Sequence, residues 1–366
     1  MSSARRRAGI VGGIAGIGAA AVATGLAVER YAVGRYHRRP DPEAGQPFGR
    51  LPADRRRTVR AGDGTPLYVE EVGSPDAGLT VVFVHGYVNS LGTWHYQRLG
   101  LADMANPELR MVFYDQRGHG RSGQGTPQAS TIEQLADDLV TVLDAVAGER
   151  PVVLVGHSMG GMTILALADA HPELFGGRVC GVALLCTSPG KLAEVTLGLP
   201  AALARVKNPV LPRLVRQLGR QARVAERGRK AGADLVWLLA RRMGFGAKDV
   251  SSALVDYLTE VIASTPIRTI ADFYPALMAH DKLAALPQLR RVPVLVVAGG
   301  RDLMTPPDHS RQIATELPDA ELLVVAEAGH MVMLERPALV NLHLRTFLHR
   351  AYRQAGGGRP RRRRKA

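Results

Sequence analysis

A serine bracketed by glycines, set between a strand pattern and a helix pattern, constrains this chain more than any other feature. Gly156-His157-Ser158-Met159-Gly160 follows the β-branched run Pro151-Val152-Val153-Leu154-Val155 and precedes the helical run Gly161-Met162-Thr163-Ile164-Leu165-Ala166-Leu167-Ala168-Asp169. The pattern is strand, tight turn, helix, with a hydroxyl at the apex. Such a turn forces the serine backbone into a strained conformation, and glycines two residues before and after remove side chains that would collide. The hydroxyl then projects from a strand end, at the start of a helix whose free N–H groups stabilise an anion. An ordinary Gly/Ser turn shares the five-residue pattern, but the flanking strand and helix favour a nucleophile.

A serine nucleophile needs a base, and the base needs an orienting acid. Val292-Pro293-Val294-Leu295-Val296-Val297-Ala298-Gly299-Gly300 reads as a buried strand entering a glycine turn, and Asp302 follows it. A second strand, Ala320-Glu321-Leu322-Leu323-Val324-Val325, leads to Glu327-Ala328-Gly329-His330. Alone, Asp302 reads as a turn residue and His330 as a loop histidine. Together they complete the chain order Ser158, Asp302, His330, each just beyond a strand. In this the chain resembles the α/β-hydrolase family, whose triad follows the order serine, acid, histidine. The resemblance covers roughly residues 57–352. Some members place the acid after an earlier strand. Here that position is Thr187-Ser188-Pro189-Gly190 and holds no carboxylate.

The resemblance implies an oxyanion hole made by the backbone amides of Tyr87 and Met159, aimed before reaction begins. Thr80-Val81-Val82-Phe83-Val84 is a buried strand, and Gly86 in the following His85-Gly86-Tyr87 is expected to let the loop approach the substrate closely. Trp94 reads as packing. Asp115-Gln116-Arg117-Gly118-His119-Gly120-Arg121-Ser122 looks like the family's D-x-R-G-x-G-x-S loop, a turn braced by Arg117 and Asp115 rather than chemistry.

Strands alternating with helical stretches predict an α/β fold, with a mostly parallel sheet of the eight-stranded type and helices on both faces. Arg60–Gly73 reads as an antiparallel hairpin. Helices are expected around Thr93–Leu101, Thr131–Ala147, Met159–Ala170, Pro307–Glu316 and Pro337–Ala351. The alternation stops between Gly190 and about Asp272, where the resemblance implies an inserted helical cap that shapes the pocket and restricts water. The expected organisation is hydrolase core over 57–189, cap over 190–272 and core again over 273–352. Cys180 and Cys186 lie six residues apart on one strand, about 20 Å, too far to pair. No Cys/His cluster, phosphate loop or dinucleotide fingerprint stands out, so no cofactor and no metal are expected.

The formal net charge of +14 is unevenly placed. Residues 1–60 carry 12 Arg against 4 acids, residues 190–272 carry 14 Lys/Arg against 7, and residues 350–366 carry 8 against none. A basic stripe without interleaved aromatics argues against nucleic acid. Arg213, Arg216, Arg220, Arg223 and Arg227 recur at helical spacing, with Leu211, Leu214, Val215, Leu218 and Ala222 expected on the opposite face. That stripe and the 353–366 tail read as solvated surfaces or as contacts for an anionic membrane surface. Ala8–Val28 is 21 residues without a charge, about 31 Å as a helix. Residues 1–28 therefore read as a membrane anchor, with a cleaved export signal or an uninserted tail as alternatives. Residues 29–56, with Pro40, Pro42 and Pro47, read as a linker.

The expected function is hydrolysis of a small, hydrophobic carboxylic ester through an acyl-enzyme. Ser158 is the nucleophile, His330 the base and Asp302 the orienting acid. Peroxidase-like, C–C or amide hydrolysis on the same triad, and a non-catalytic binding protein of this fold, are the rivals. An aspartate at the elbow would suggest epoxide or haloalkane hydrolysis, and Ser158 speaks against both.

Overall fold

The computed structural model describes residues 31, 33–148, 150–198, 212–222 and 233–356. Eight strands form one sheet: β1 (Arg55–Arg60), β2 (Pro66–Val72), β3 (Leu79–Val84), β4 (Leu109–Tyr114), β5 (Val152–His157), β6 (Val179–Leu185), β7 (Val294–Gly299) and β8 (Glu321–Val325). Their spatial order is β1-β2-β4-β3-β5-β6-β7-β8. The β1/β2 and β2/β4 pairs are antiparallel, and every pair from β4 to β8 is parallel. The hairpin turns through Ala61–Thr65, so its first strand ends rather than begins at Arg60 and starts at Arg55, further upstream than expected.

Strands β3 to β7 are buried along their length because both faces are covered, whereas the edge strand β8 leaves Leu322 and Val324 exposed. On β3, Val82 and Val84 face one core cluster, and Val81 and Phe83 face the other. The first face packs α2 (Ile132–Ala147) and α3 (Met159–Ala170); the second packs α1 (His95–Gly100) and the C-terminal helix. Thr131 caps α2 by accepting from Gln134 N at 3.0 Å, which fixes its start. Trp94, fully buried, packs on Phe83 at 5.2 Å between ring centroids.

Between β6 and β7 the chain leaves the sheet. The described helices of this excursion are α4 (residues 212–220), α5 (Ala233–Gly244), α6 (Ser252–Ser264) and α7 (Ile267–Ala279). An isolated bridge between Gly190 and Asp281 closes its base, so helical structure runs past Asp272. The body then ends with α8 (Pro307–Glu316) and α9 (Pro337–Gln354).

Two expectations differ from what is observed. Residues 33–56 do not hang free. Residues 33–37 are helical, Val33 and Phe48 are 9% and 8% exposed, and Phe48 stacks on Tyr257 of α6 at 5.3 Å. The Asp41 carboxylate accepts from Ser251, Ser252 and Ala253 at the start of α6. Prolines give such a stretch linker composition, yet its few apolar side chains and one capping carboxylate hold it to the body. On α4, Leu214 and Leu218 are 51% and 41% exposed. The contact runs instead along Gly219, where an added Cβ would lie 2.5 Å from the Ala271 Cβ of α7. Close approach of the two backbones, not the bulk of leucines, selects the buried side.

Among the described residues no helix is long and apolar enough to cross a membrane. The segment 1–28, Leu211, Arg223, Arg227 and the tail from residue 357 lie outside the described residues.

Candidate active site

Ser158 sits between the last residue of β5 and the first of α3, with φ 53° and ψ −118°. A left-handed φ at a residue with a side chain costs on the order of 1–3 kcal/mol and persists only where its surroundings enforce it. The enforcement is close packing. A Cβ on Gly160 would lie 2.0 Å from the Val84 carbonyl oxygen, and one on Gly156 would lie 2.7 Å from the Gly160 backbone. Thr187, just beyond β6, donates its hydroxyl to the Ser158 carbonyl at 2.7 Å. Gly86 serves this packing too. Its Cβ would meet His157 Nδ1 at 2.8 Å and Ser158 Cβ at 3.1 Å, so the missing side chain lets the β3 loop close on the elbow.

The three residues distant in sequence meet here. His330 Nε2 is 2.9 Å from Ser158 Oγ, and His330 Nδ1 is 2.8 Å from Asp302 Oδ2. An ionised carboxylate only accepts, so Nδ1 carries the proton and Nε2 is left to accept from the serine hydroxyl. Burial would raise the Asp302 pKa, but the charge and hydrogen bond of His330, with the backbone and side-chain hydrogen bonds of Thr305, outweigh it and hold the carboxyl below its ordinary value. Asp302 Oδ1 accepts from the amides of Met304 at 2.8 Å and Thr305 at 3.0 Å. Thr305 Oγ lies 2.8 Å from both Asp302 Oδ2 and the Cys186 carbonyl.

Tyr87 and Met159 flank this centre. Met159 opens α3, so its amide has no carbonyl within the helix to donate to. Neither the Met159 nor the Tyr87 amide donates to another backbone group among the described residues. The Tyr87 hydroxyl donates to the Ile270 carbonyl of α7, which ties the β3 loop to the excursion above it.

Several supporting residues escape a reading of the sequence alone. His157 Nε2 is 3.0 Å from the His330 carbonyl oxygen. Burial and the adjacent His330 push the His157 pKa down to about 3, so this imidazole is neutral and donates through Nε2. Glu335 accepts from the Gly329 amide at 2.7 Å and from the Gly246 and Ala247 amides beyond α5. Thr305 had a local signal, a hydroxyl three residues after a turn aspartate. Glu335 had none, because two of its three partners, Gly246 and Ala247, lie 89 and 88 positions away. The Asp115–Ser122 loop is a brace: Arg117 makes two 2.6 Å hydrogen bonds to Asp138 and one of 2.8 Å to Asp63, and Asp115 accepts from Leu91 and Arg121 amides. Cys180 and Cys186 are buried and unbridged.

Two apolar cavities meet at Ser158. One, about 290 Å³, lies between His330, Asn89, Leu239, Met243 and Leu258. The other, about 140 Å³, lies between Met162, Leu192, Leu197, Leu277 and Met278. Tyr87, Ser158 and Met304 line both.

A family model described as alpha/beta hydrolase fold matches residues 80–337. A dihydrolipoyllysine-residue acetyltransferase component of the acetoin cleaving system of Pseudomonas putida is 28% identical over 278 residues, or 75% of this chain. The chain spans 65% of that relative, just under two thirds of its length. The mouse sn-1-specific diacylglycerol lipase ABHD11 is 29% identical, with 70% of this chain and 76% of the relative covered. Among solved structures, a thermophilic esterase from Thermogutta terrifontis superposes with a TM-score of 0.63 at 25% identity, covering 81% of this chain and 99% of the esterase.

Proposed function

This chain belongs to the α/β-hydrolase fold family, and on that premise we propose that it is a serine hydrolase that cleaves carboxylic esters with apolar substituents. The observation that carries the reading is the unbroken relay from Ser158 Oγ through His330 to Asp302, with contacts of 2.9 and 2.8 Å. His330 Nε2 takes the hydroxyl proton as Ser158 Oγ attacks the ester carbonyl. Asp302, already ionised, stabilises the imidazolium and fixes its tautomer. The amides of Tyr87 and Met159 receive the oxyanion. The protonated Nε2 then gives its proton to the departing alkoxide, and a water deprotonated by the same nitrogen cleaves the acyl-enzyme.

That proton route assigns the two cavities. The leaving oxygen must lie beside His330 Nε2, and only the larger cavity is lined by His330. The larger cavity therefore takes the alcohol and the smaller one, on the Met162 side, takes the acyl group. Both linings are apolar, which favours hydrophobic esters over charged groups at these two positions.

Labelling with a fluorophosphonate, together with hydrolysis of p-nitrophenyl esters of graded acyl length, tests the reading. Wild type should be labelled and Ser158→Ala should not. A panel in which only amides or epoxides are turned over would replace ester hydrolysis with another reaction on the same centre.

A further inference from the structure

A third cavity, about 810 Å³, lies outside the catalytic chamber between α4 and α7. Tyr274 and Met278 line this groove and also the smaller cavity beside Ser158, so the two spaces share a wall and adjoin. The groove floor is apolar, with Val215, Ala271 and Pro275, and Gly219 lets α4 sit directly on Ala271. Three arginines are among its lining residues, Arg268 and the exposed Arg216 and Arg220. Arg268 is 3.5 Å from Asp272, which also lines the groove. Arg216 and Arg220 have no carboxylate partner among the described residues. The groove is thus apolar in its floor, lined by arginines and divided from the acyl side of the catalytic chamber by Tyr274 and Met278.

We propose that this groove binds the anionic end of an amphiphilic ester, with Arg216 and Arg220 recognising a carboxylate or phosphate while the acyl chain passes Tyr274 and Met278 toward Ser158. The proposal rests on the ester-hydrolase reading and on the assignment of the smaller cavity to the acyl group. The helical positions explain why these two arginines are selected. Residues 212, 215, 216, 219 and 220 share one side of α4 and face the groove, whereas Arg213 and the exposed Leu214 point elsewhere. A guanidinium fork suits either oxyanion. A bilayer surface is the competing source of negative charge, but a planar surface meets the convex side of a helix rather than a recess beneath it.

The test compares two p-nitrophenyl esters of one acyl length, the mono-ester of suberic acid and its methyl-capped counterpart. Wild type and the double variant Arg216→Gln/Arg220→Gln are assayed on both. The double variant should raise KM for the carboxylated ester about tenfold, a change of about 1.4 kcal/mol, leave its kcat nearly unchanged, and move KM for the capped ester less than about twofold. In wild type, added salt should raise KM for the carboxylated ester only. Equal changes for both esters, or none, overturn the subsite. Loss of binding to anionic phosphatidylglycerol vesicles with unchanged discrimination between the esters also overturns it and assigns the arginines to a membrane surface. Calorimetric binding of free suberate against octanoate is the second readout. If neither ester is turned over, the ester reading fails while suberate preference, and its loss in the double variant, still decides the subsite.

Discussion

His157 Nε2 lies 3.0 Å from the backbone carbonyl oxygen of His330. The residue next to the nucleophile thus holds the main chain of the base, and the two imidazole rings sit 4.8 Å apart. His157→Leu should lower ester turnover roughly 10- to 100-fold, the effect of a small misplacement of a reacting group, with little change in KM. His157→Gln keeps an N–H donor and should recover most of that loss. Equal turnover in wild type and His157→Leu would show that the contact is only packing.

Ser158→Ala should remove fluorophosphonate labelling and lower ester hydrolysis by a factor on the order of 10³ or more. Its fold should be retained, because the hydroxyl contributes little to packing. Ser158→Gly should be equally inactive but more stable than Ser158→Ala by about 1–2 kcal/mol, since glycine accepts a φ of 53° without strain. Urea denaturation of the two variants measures the difference.

Asp302→Asn places an amide where His330 Nδ1 needs an acceptor, which favours the wrong tautomer. Turnover should fall by roughly 10⁴, as in the serine-protease precedent. The amides of Met304 and Thr305 keep an oxygen acceptor, so the loop should stay in place. A variant close to wild type in turnover would assign the acid elsewhere.

Acid should destabilise the protein well above the carboxylate range. Burial, with smaller contributions from neighbouring histidines, pushes His85 and His157 down to about 3, and burial pushes His119 and His280 down to about 4. The unfolded chain protonates these near 6.5. Their stabilisation is therefore complete above that value and is lost as pH falls toward the folded-state values. Each contributes up to about 1.4 kcal/mol of loss per pH unit. Asp115 opposes this: burial raises it to about 6, so its contribution is present below its unfolded value and lost as pH rises through 6. With four histidines against one carboxyl, urea midpoints should fall from pH 7 to pH 5. His280→Gln, which removes one of these buried rings, should flatten that slope.

The sequence carried what local punctuation can carry. Glycine spacing around Ser158, the capping Thr131 and the turn after β7 are local signals, and the elements they mark fall where the patterns predict. The relay was legible because each of its members follows a strand, and parallel strands end on one edge of a sheet. The packing of residues 33–56 was not, because proline content describes chain stiffness and not what Phe48 meets. Nor was the buried side of α4, where hydrophobicity pointed to Leu214 and Leu218 but Gly219 makes the contact. Glu335 and His157 act only through partners brought close by the completed fold.

Glu335 joins the loop that carries the base to the end of α5. Its carboxylate accepts at once from Gly329, which precedes the base, and from Gly246 and Ala247 at the end of α5. The Met331 amide adds a 2.8 Å hydrogen bond to the Gly244 carbonyl. The roof over the larger cavity is thus pinned beside the base, and lifting it at this corner would drag the imidazole out of line with the serine. Any hinge that admits a bulky alcohol must leave this corner still. The far edge, where α4 lies on α7 at Gly219, carries no hydrogen bond to Ser158 or His330 among the described residues.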